Sequence, residues 1–337
     1  MRATQIMISA PREARLVETD VPTDDLRPSE AVVRTRVSLL SGGTEGAFFR
    51  GLPLPGREPP PFPYPTGYAN IGEVIAVGGP AAGVAVGDLV YTMSHHASIA
   101  RVDAVARPCV AVPAGLPPEE AVFVRLMTVS LTTIRTARAR AGDRAAVVGL
   151  GLVGNLGAQL LQNAGMTVTA ADLIASRRAL ARNCGVERTI DPGEPGVVEP
   201  KNHLVLEATG AATGAVTALA LCRTGGEVSL VGTPWIADPT VAASAILEPI
   251  HMRYITVRSG WEWQLPIQRD PEEPGNVHQP GSIVDSTRYA FELLRRGKVR
   301  VRDLITHRIA PRDCQIAYER AVDRKEEQLG VVFDWDA

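Results

Sequence analysis

Hydrophobic and polar positions change rhythm along this chain, and the changes divide it. Up to about Pro113, short β-type runs alternate with Gly- and Pro-rich turns. Ala31–Val37, Ala69–Val77, Asp88–Met93 and Arg101–Val112 each predict a strand, and together a β-rich first domain. From Pro117 the period lengthens. Glu119–Ala139 predicts a helix, Asn183-Cys184-Gly185 the end of another, His203–Glu207 a strand, Thr213–Cys222 a helix and Glu227–Val231 a strand. Such alternation is that of a parallel sheet with right-handed crossovers. After Gly260 it stops: Thr287–Arg296 reads as an amphipathic helix ended by Gly297, Arg312–Arg324 as another, and Leu329–Phe333 as a last strand. The run from Gly51 to Thr66 is too rich in proline for helix or central strand and predicts a surface loop.

One apolar stretch carries more than fold. No charged residue interrupts Ala145–Ala171, and Gly149, Gly151 and Gly154 stand where a buried strand turns into a helix, Leu152–Ala164, that Gly165 ends. Gly149 would permit the tight turn, Gly151 the approach of a pyrophosphate to the backbone, and Gly154 close packing of helix on strand. Free N–H groups of that helix start, at Leu152 and Val153, would face the phosphates. A second strand, Thr167–Ala171, runs into Asp172, at about the 20-residue offset expected of an acid that binds the ribose hydroxyls. An acid there favours NAD over NADP, while Arg177 and Arg178, a few residues on, would suit a 2′-phosphate. The stretch is also long enough for a membrane span, but its glycines and Asn155, Gln159, Gln162 and Asn163 argue against one.

Composition narrows the class. With 337 residues, 45% of them hydrophobic, and a net charge of −2, the chain is expected to fold as about two globular domains, without the basic surface of a nucleic-acid or anionic-membrane binder. Charges throughout the first twenty residues leave no apolar core for a signal peptide, so a cytoplasmic protein is expected. Cys109, Cys184, Cys222 and Cys314 form no Cys-x-x-Cys pair and signal neither disulfides nor a thiolate zinc site.

Several separated segments resemble the medium-chain dehydrogenase/reductase superfamily, the alcohol dehydrogenase-like enzymes. Ser41-Gly-Gly-Thr-Glu45 is similar to its Cys-Gly-Thr-Asp stretch, Phe62–Gly78 to its Gly-His-Glu strand and Val86-Gly-Asp-Leu-Val90 to its Gly-Asp-x-Val turn. Glu207-Ala-Thr-Gly210 and Val231-Gly-Thr233 resemble the pieces that line the nicotinamide. The resemblance implies an α/β protein: a GroES-like catalytic domain over 1–117, completed by 259–337, and a Rossmann domain over 118–258. It adds Thr128, Thr209, Gly210, Val231, Gly232 and Thr233 to the cofactor contacts, and it implies a homodimer. The family commonly holds a catalytic zinc with a Cys, a His and a further Cys or Glu. Here the matching positions read Gly42, Tyr68 and either Val124 or Arg125, and the four-cysteine lobe of structural zinc is missing after Met93. These departures imply a zinc-independent branch, similar in its Ser-x-Gly-Thr-Glu stretch and Leu-Gly-Val-Val-Phe ending to bacteriochlorophyllide dehydrogenase-like members.

Without a metal, a positioned proton donor must manage the charge on the substrate oxygen. His95 and His96 follow the Asp88–Met93 strand and are candidates, or else two exposed loop histidines. Thr44 would relay protons or cap a turn; Tyr68 would donate to the substrate oxygen or fill the ligand's volume. Glu45 would act as base, orient His95 or serve as a structural partner. Arg125, in an apolar helix entry, would pair with Glu45, bind a substrate oxygen or reach solvent along its stem. Trp261, Glu262 and Trp263 offer indole faces and a carboxylate to a sugar or cyclitol ring, or pack in a core or subunit contact. The expected activity is hydride transfer between NAD(P)(H) and a secondary alcohol or ketone. The alternatives are reduction of an enone or quinone C=C bond, and a nicotinamide-binding sensor or structural protein without catalysis.

Overall fold

The computed structural model describes residues 1–58, 61–269, 272, 280–324 and 326–337. The N-terminal part is built of β1 (Arg2–Ala10), β2 (Glu13–Asp20), β3 (Glu30–Leu40), helix α1 (Thr44–Phe49), β4 (Tyr64–Pro65), β5 (Asn70–Val77), β6 (Leu89–Thr92), β7 (Ile99–Asp103) and β8 (Cys109–Ala111). A parallel unit follows: α2 (Pro118–Ala121), α3 (Val124–Thr136), β9 (Arg144–Val148), α4 (Leu152–Asn163), β10 (Thr167–Ala171), α5 (Ala175–Asn183), β11 (Arg188–Ile190), β12 (Asn202–Glu207), α6 (Ala212–Leu221), β13 (Cys222–Leu230), α7 (Ala243–Met252) and β14 (Thr256–Ser259). Helix α8 (Ile283–Arg295), β15 (Ile305–Ile309), α9 (Cys314–Asp323) and β16 (Gly330–Asp334) complete the chain.

The protein is thus α/β, with a GroES-like sheet-rich part and a Rossmann-like parallel sheet. The six-stranded parallel sheet runs β11-β10-β9-β12-β13-β14, so the strand order reverses between β9 and β12, and a crevice opens beyond their carboxyl ends. Both central strands are apolar because helices cover both faces of a parallel sheet; Ala145–Val148 and Leu204–Leu206 are buried without exception. The first sheet has the order β15-β16-β3-β5-β6-β8, with β7 also on β3, and β16 pairs antiparallel with β3 through Val331 opposite Leu40. The last strand is therefore bonded to the sheet that the third began. A small sheet, β2-β1-β4, leans on the first.

Several elements differ from the sequence pattern. The helix expected over Glu119–Ala139 is two, α2 and α3, and the strand expected over Arg101–Val112 is split into β7 and β8 by the turn at Ala104–Pro108. Tyr64 and Pro65, inside the expected loop, form the edge strand β4 on β1, where proline's missing N–H costs no ladder bond; Pro59 and Pro60 of that loop lie outside the described residues. Strands β1, β2, β11, β14 and β15 and helices α1 and α7 are additional. No helix among the described residues is long and apolar enough to cross a membrane.

Candidate active site

The crevice takes its shape from glycine. Gly149 has φ +92° and a Cβ there would meet Thr209 Cγ2 at 2.6 Å, while a Cβ on Gly154 would sit 1.7 Å from the Gly149 carbonyl oxygen. Gly151 differs: a Cβ there meets nothing within 4 Å. Its face is open, a cradle that a side chain would fill and a pyrophosphate can use, so these residues fit a dinucleotide. Val153 is half-buried beside it, and Leu152 is buried in the core that α3 and α4 share. Asp172 follows β10 directly and accepts from the N–H groups of Leu150 (2.6 Å) and Ile174 (2.8 Å), which ties it to the glycine turn; Arg177 Nη1 lies 3.8 Å from its carboxylate. Across the crevice, the Thr209 N–H (2.7 Å) and Gly210 N–H donate to the buried Glu207 carboxyl, whose pKa is raised by burial against those bonds. Gly210, Gly232 and Thr233 approach so closely that a Cβ on Gly232 would lie 2.1 Å from Gly210 N; Val231 N–H donates to the Glu207 carbonyl.

A second group surrounds Tyr68, at the start of β5. The Arg125 guanidinium lies 4.8 Å from the centre of the Tyr68 ring, and its Nη2 donates to Glu262 Oε1. Thr128, one turn on in α3, donates to the Arg125 carbonyl and receives Arg125 Nη1. Burial alone would disfavour the Arg125 cation, but Glu262, Tyr91 and Tyr68 outweigh it and its pKa is raised. Burial pushes the Tyr68 phenol up to about 12, against Arg125 and the hydroxyls of Ser41 and Thr44. The pairing of Arg125 is with Glu262, not Glu45, because α3 turns this side chain toward the segment after β14. Glu262 is buried, whereas Trp261 and Trp263 on either side are 55% and 44% exposed.

Glu45 is the centre of a separate buried network. Its Oε1 accepts from Ser41 N–H (2.8 Å); its Oε2 accepts from Thr66 Oγ1 (2.9 Å), Tyr318 OH (2.6 Å) and His96 Nε2 (3.0 Å). Burial raises the cost of that charge, but His96 and the donors prevail and the pKa falls below the usual carboxylate value. A carboxylate only accepts, which assigns a proton to His96 Nε2; His96 Nδ1 meets Ser38 Oγ at 2.8 Å. Two expectations are corrected here. Glu45 orients His96 rather than His95, and His96, at 0% exposure with both ring nitrogens engaged, is not free to meet substrate or lie in an exposed loop. His95 is exposed, its Nδ1 3.0 Å from the Gly67 carbonyl oxygen and its backbone held by Asn70 Nδ2 (2.9 Å). Desolvation by the groups packed around it lowers its pKa, against the Gly67 bond. Of the two adjacent histidines in this turn, only His96 enters the core.

Tyr91 and Tyr318 were not marked by any sequence signal: one is a strand residue and the other lies in a helix near the C-terminus. Two concavities lie elsewhere. Cavities of about 510 Å³, lined by Arg36, Glu73 and Glu119, and about 490 Å³, lined by Arg144, Arg188 and Lys201, include none of these residues.

The positions that would hold zinc do not make a donor set. Gly42 has no side chain, the Tyr68 phenol stays protonated near neutrality, and of the two residues matched to the third position Val124 is apolar and Arg125 is a cation. Among the described residues, no group of three or more His, Cys, Asp or Glu is placed to hold a metal.

Residues 153–268 match the family described as zinc-binding dehydrogenase. D-guloside 3-dehydrogenase of Escherichia coli (strain K12) is 25% identical over 98% of this chain and 99% of its own length. The fold is similar to galactitol-1-phosphate dehydrogenase from Escherichia coli (TM-score 0.79, 20% identity, 98% of this chain and 99% of that one). It is also similar to a short chain alcohol dehydrogenase from E. coli CFT073 complexed with NADH (TM-score 0.77, 16% identity, 99% of each chain). These likenesses support the medium-chain, alcohol dehydrogenase-like superfamily and are consistent with an NAD(P)-dependent alcohol dehydrogenase.

Proposed function

We propose that this chain is a zinc-independent oxidoreductase that interconverts a secondary alcohol and its ketone on a polyhydroxylated substrate, with NAD(H) as partner. One observation carries the reading: a buried, paired guanidinium stacked on a protonated phenol occupies the positions where a metal would need thiolate and imidazole. When bound, the nicotinamide supplies the hydride chemistry. The chain's own residues then handle the oxygen. Tyr68 donates its proton to the ketone oxygen, the fixed charge of Arg125 stabilises the developing oxyanion, and Ser41 and Thr44 hold the phenol and relay its proton. In oxidation the same path runs backwards: Tyr68 takes up the hydroxyl proton as its own passes through Ser41 and Thr44 toward neutral His95 at the exposed side. Gly149, Gly151, Gly154, Thr209, Gly210 and Thr233 shape the cofactor crevice, and Asp172 favours NAD.

Two lines of support come from substrates named for the relatives: a guloside for one, and a polyol phosphate for the other. We also propose the division into a catalytic domain over 1–117 and 259–337 and a nucleotide domain over 118–258, and a cytoplasmic homodimer. For the dimer, β14 is a sheet edge with one side unpaired, and Leu247, Met252 and Tyr254 beside it are exposed; a monomeric mass by light scattering would remove it. The function is tested by NAD⁺ reduction on polyols and glycosides and NADH oxidation on ketones and enones. Turnover of enones alone, or of nothing, overturns it.

A further inference from the structure

Glu207 ends β12, and its buried carboxyl has no ion-pair partner among the described residues. It is satisfied instead by the chain that follows it. Oε1 accepts from Thr209 N–H at 2.7 Å, from Thr209 Oγ1 and from Gly210 N–H at 3.2 Å, and Thr209 Oγ1 accepts in turn from Ala211 N–H at 3.0 Å. Hydrogen bonds to a carboxylate are the stronger kind, so the turn after β12 is wrapped on one side chain. Helix α6 leaves room for it: a Cβ on Gly214, in its first turn, would lie 2.7 Å from Glu207 Oε1. The Glu207 carbonyl meanwhile accepts from Val231 N–H (2.8 Å) and Gly232 N–H (2.9 Å), in the loop after β13. One residue thereby fixes two loops.

Sheet order says what those loops face. The strands run β10-β9-β12-β13; Asp172, suited to the ribose, follows β10, and the Gly149–Gly151 turn, suited to the pyrophosphate, follows β9. A dinucleotide laid along these carboxyl ends therefore brings its nicotinamide half to the loops after β12 and β13. There, Gly210, at φ +68°, lies so close to Gly232 and Thr233 that a Cβ on either glycine would clash, and a shift of the turn after β12 moves the loop after β13 with it. The glycine turn has anchors of its own: Leu150 N–H bonds Asp172, and Gly149 N–H donates to the Ala171 carbonyl at 2.8 Å. We infer that Glu207 is a positioning residue, whose carboxyl sets the wall along the nicotinamide half and with it the alignment of hydride transfer, while the adenosine half binds without its help. This rests on the dinucleotide-dependent function proposed above and adds a residue that acts through Thr209 and Gly210.

The test compares wild-type protein with Glu207→Gln, which keeps the size of the side chain and turns one acceptor into a donor that faces donors. Titration with ADP-ribose, which lacks the nicotinamide, and with NADH separates the two halves. In the variant, ADP-ribose affinity stays at its wild-type value and NADH binds about tenfold more weakly. Single-turnover hydride transfer, on whichever ketone the wild type reduces, slows by about 10²-fold. Equal losses of ADP-ribose and NADH affinity assign Glu207 to the fold alone and overturn the inference, as does transfer from bound NADH at the wild-type rate. Should Glu207→Gln not fold, Thr209→Val removes one donor to the carboxyl and keeps the shape of the side chain. It weakens NADH and not ADP-ribose by a smaller factor, and wild-type affinity for both overturns the inference. The titrations need no turnover. A wild type that binds NADH and turns over no alcohol or ketone overturns the proposed function while the two affinities still decide the role of Glu207; one that binds neither ligand overturns both.

Discussion

His96 Nε2 lies 3.0 Å from Glu45 Oε2, and neither side chain reaches solvent. The pair ties the turn after β6 to the start of α1, and Tyr318 from α9 bonds the same carboxylate oxygen. Three distant pieces of chain thus converge on one charge, next to the Ser41–Thr44 segment that flanks Tyr68. Its role is to hold the site in place.

Glu45→Ala is therefore expected to destabilise by about 3–5 kcal/mol, because it strands buried donors around a lost carboxylate. The pH dependence has a definite sign. The folded pKa lies below the unfolded value of 4.5, so the unfolded state binds more protons between the two. The contribution is complete above 4.5 and is lost as pH falls through the folded pKa. Urea titrations of wild type and Glu45→Gln between pH 7 and pH 3 check it; a gap that widens on acidification contradicts the network.

Tyr68→Phe removes the proposed donor and little volume. Turnover should fall by about 10²-fold with NADH affinity unchanged, the size expected for loss of general-acid assistance. Phe retaining wild-type kcat would reassign the donor.

His95→Asn tests the exposed imidazole. The pKa is depressed below the usual 6.5, so the neutral, proton-accepting form dominates at that pH and above. Alcohol oxidation by the wild type should rise as pH increases through a value under 6.5 and then level off. In His95→Asn that rise should vanish. A limb that persists in the variant belongs to another group.

Gly151→Val and Gly154→Val separate cofactor binding from folding. The open face of Gly151 predicts weaker NADH binding, by about tenfold or more, at unchanged thermal midpoint; the contact of Gly154 with the Gly149 carbonyl predicts unfolding or a large drop in midpoint. Fluorescence titration with NADH and a melting curve on each variant decide. Equal NADH affinity for Gly151→Val and wild type would move the pyrophosphate elsewhere.

Dialysis against a strong chelator should leave turnover intact, since Gly42, Tyr68 and Arg125 offer no zinc donor set. Loss of activity that added zinc restores would show that metal enters by residues other than these.

What the residues alone determined is local. A glycine with φ +92°, an apolar strand before it and a helix after it lie within one continuous segment, and the backbone constraints that create the crevice act between neighbours, so spacing reveals them. Composition likewise bounds the class of fold. Tertiary structure decided the side-chain partnerships. Arg125 and Glu262 are 137 residues apart, and Tyr318 and Glu45 are 273 apart. Which histidine enters the core and which carboxylate meets the buried arginine follow from how β6, α3, α9 and the segment after β14 pack. A buried charge takes the partner that packing brings within about 3 Å, and linear order carries no record of that distance.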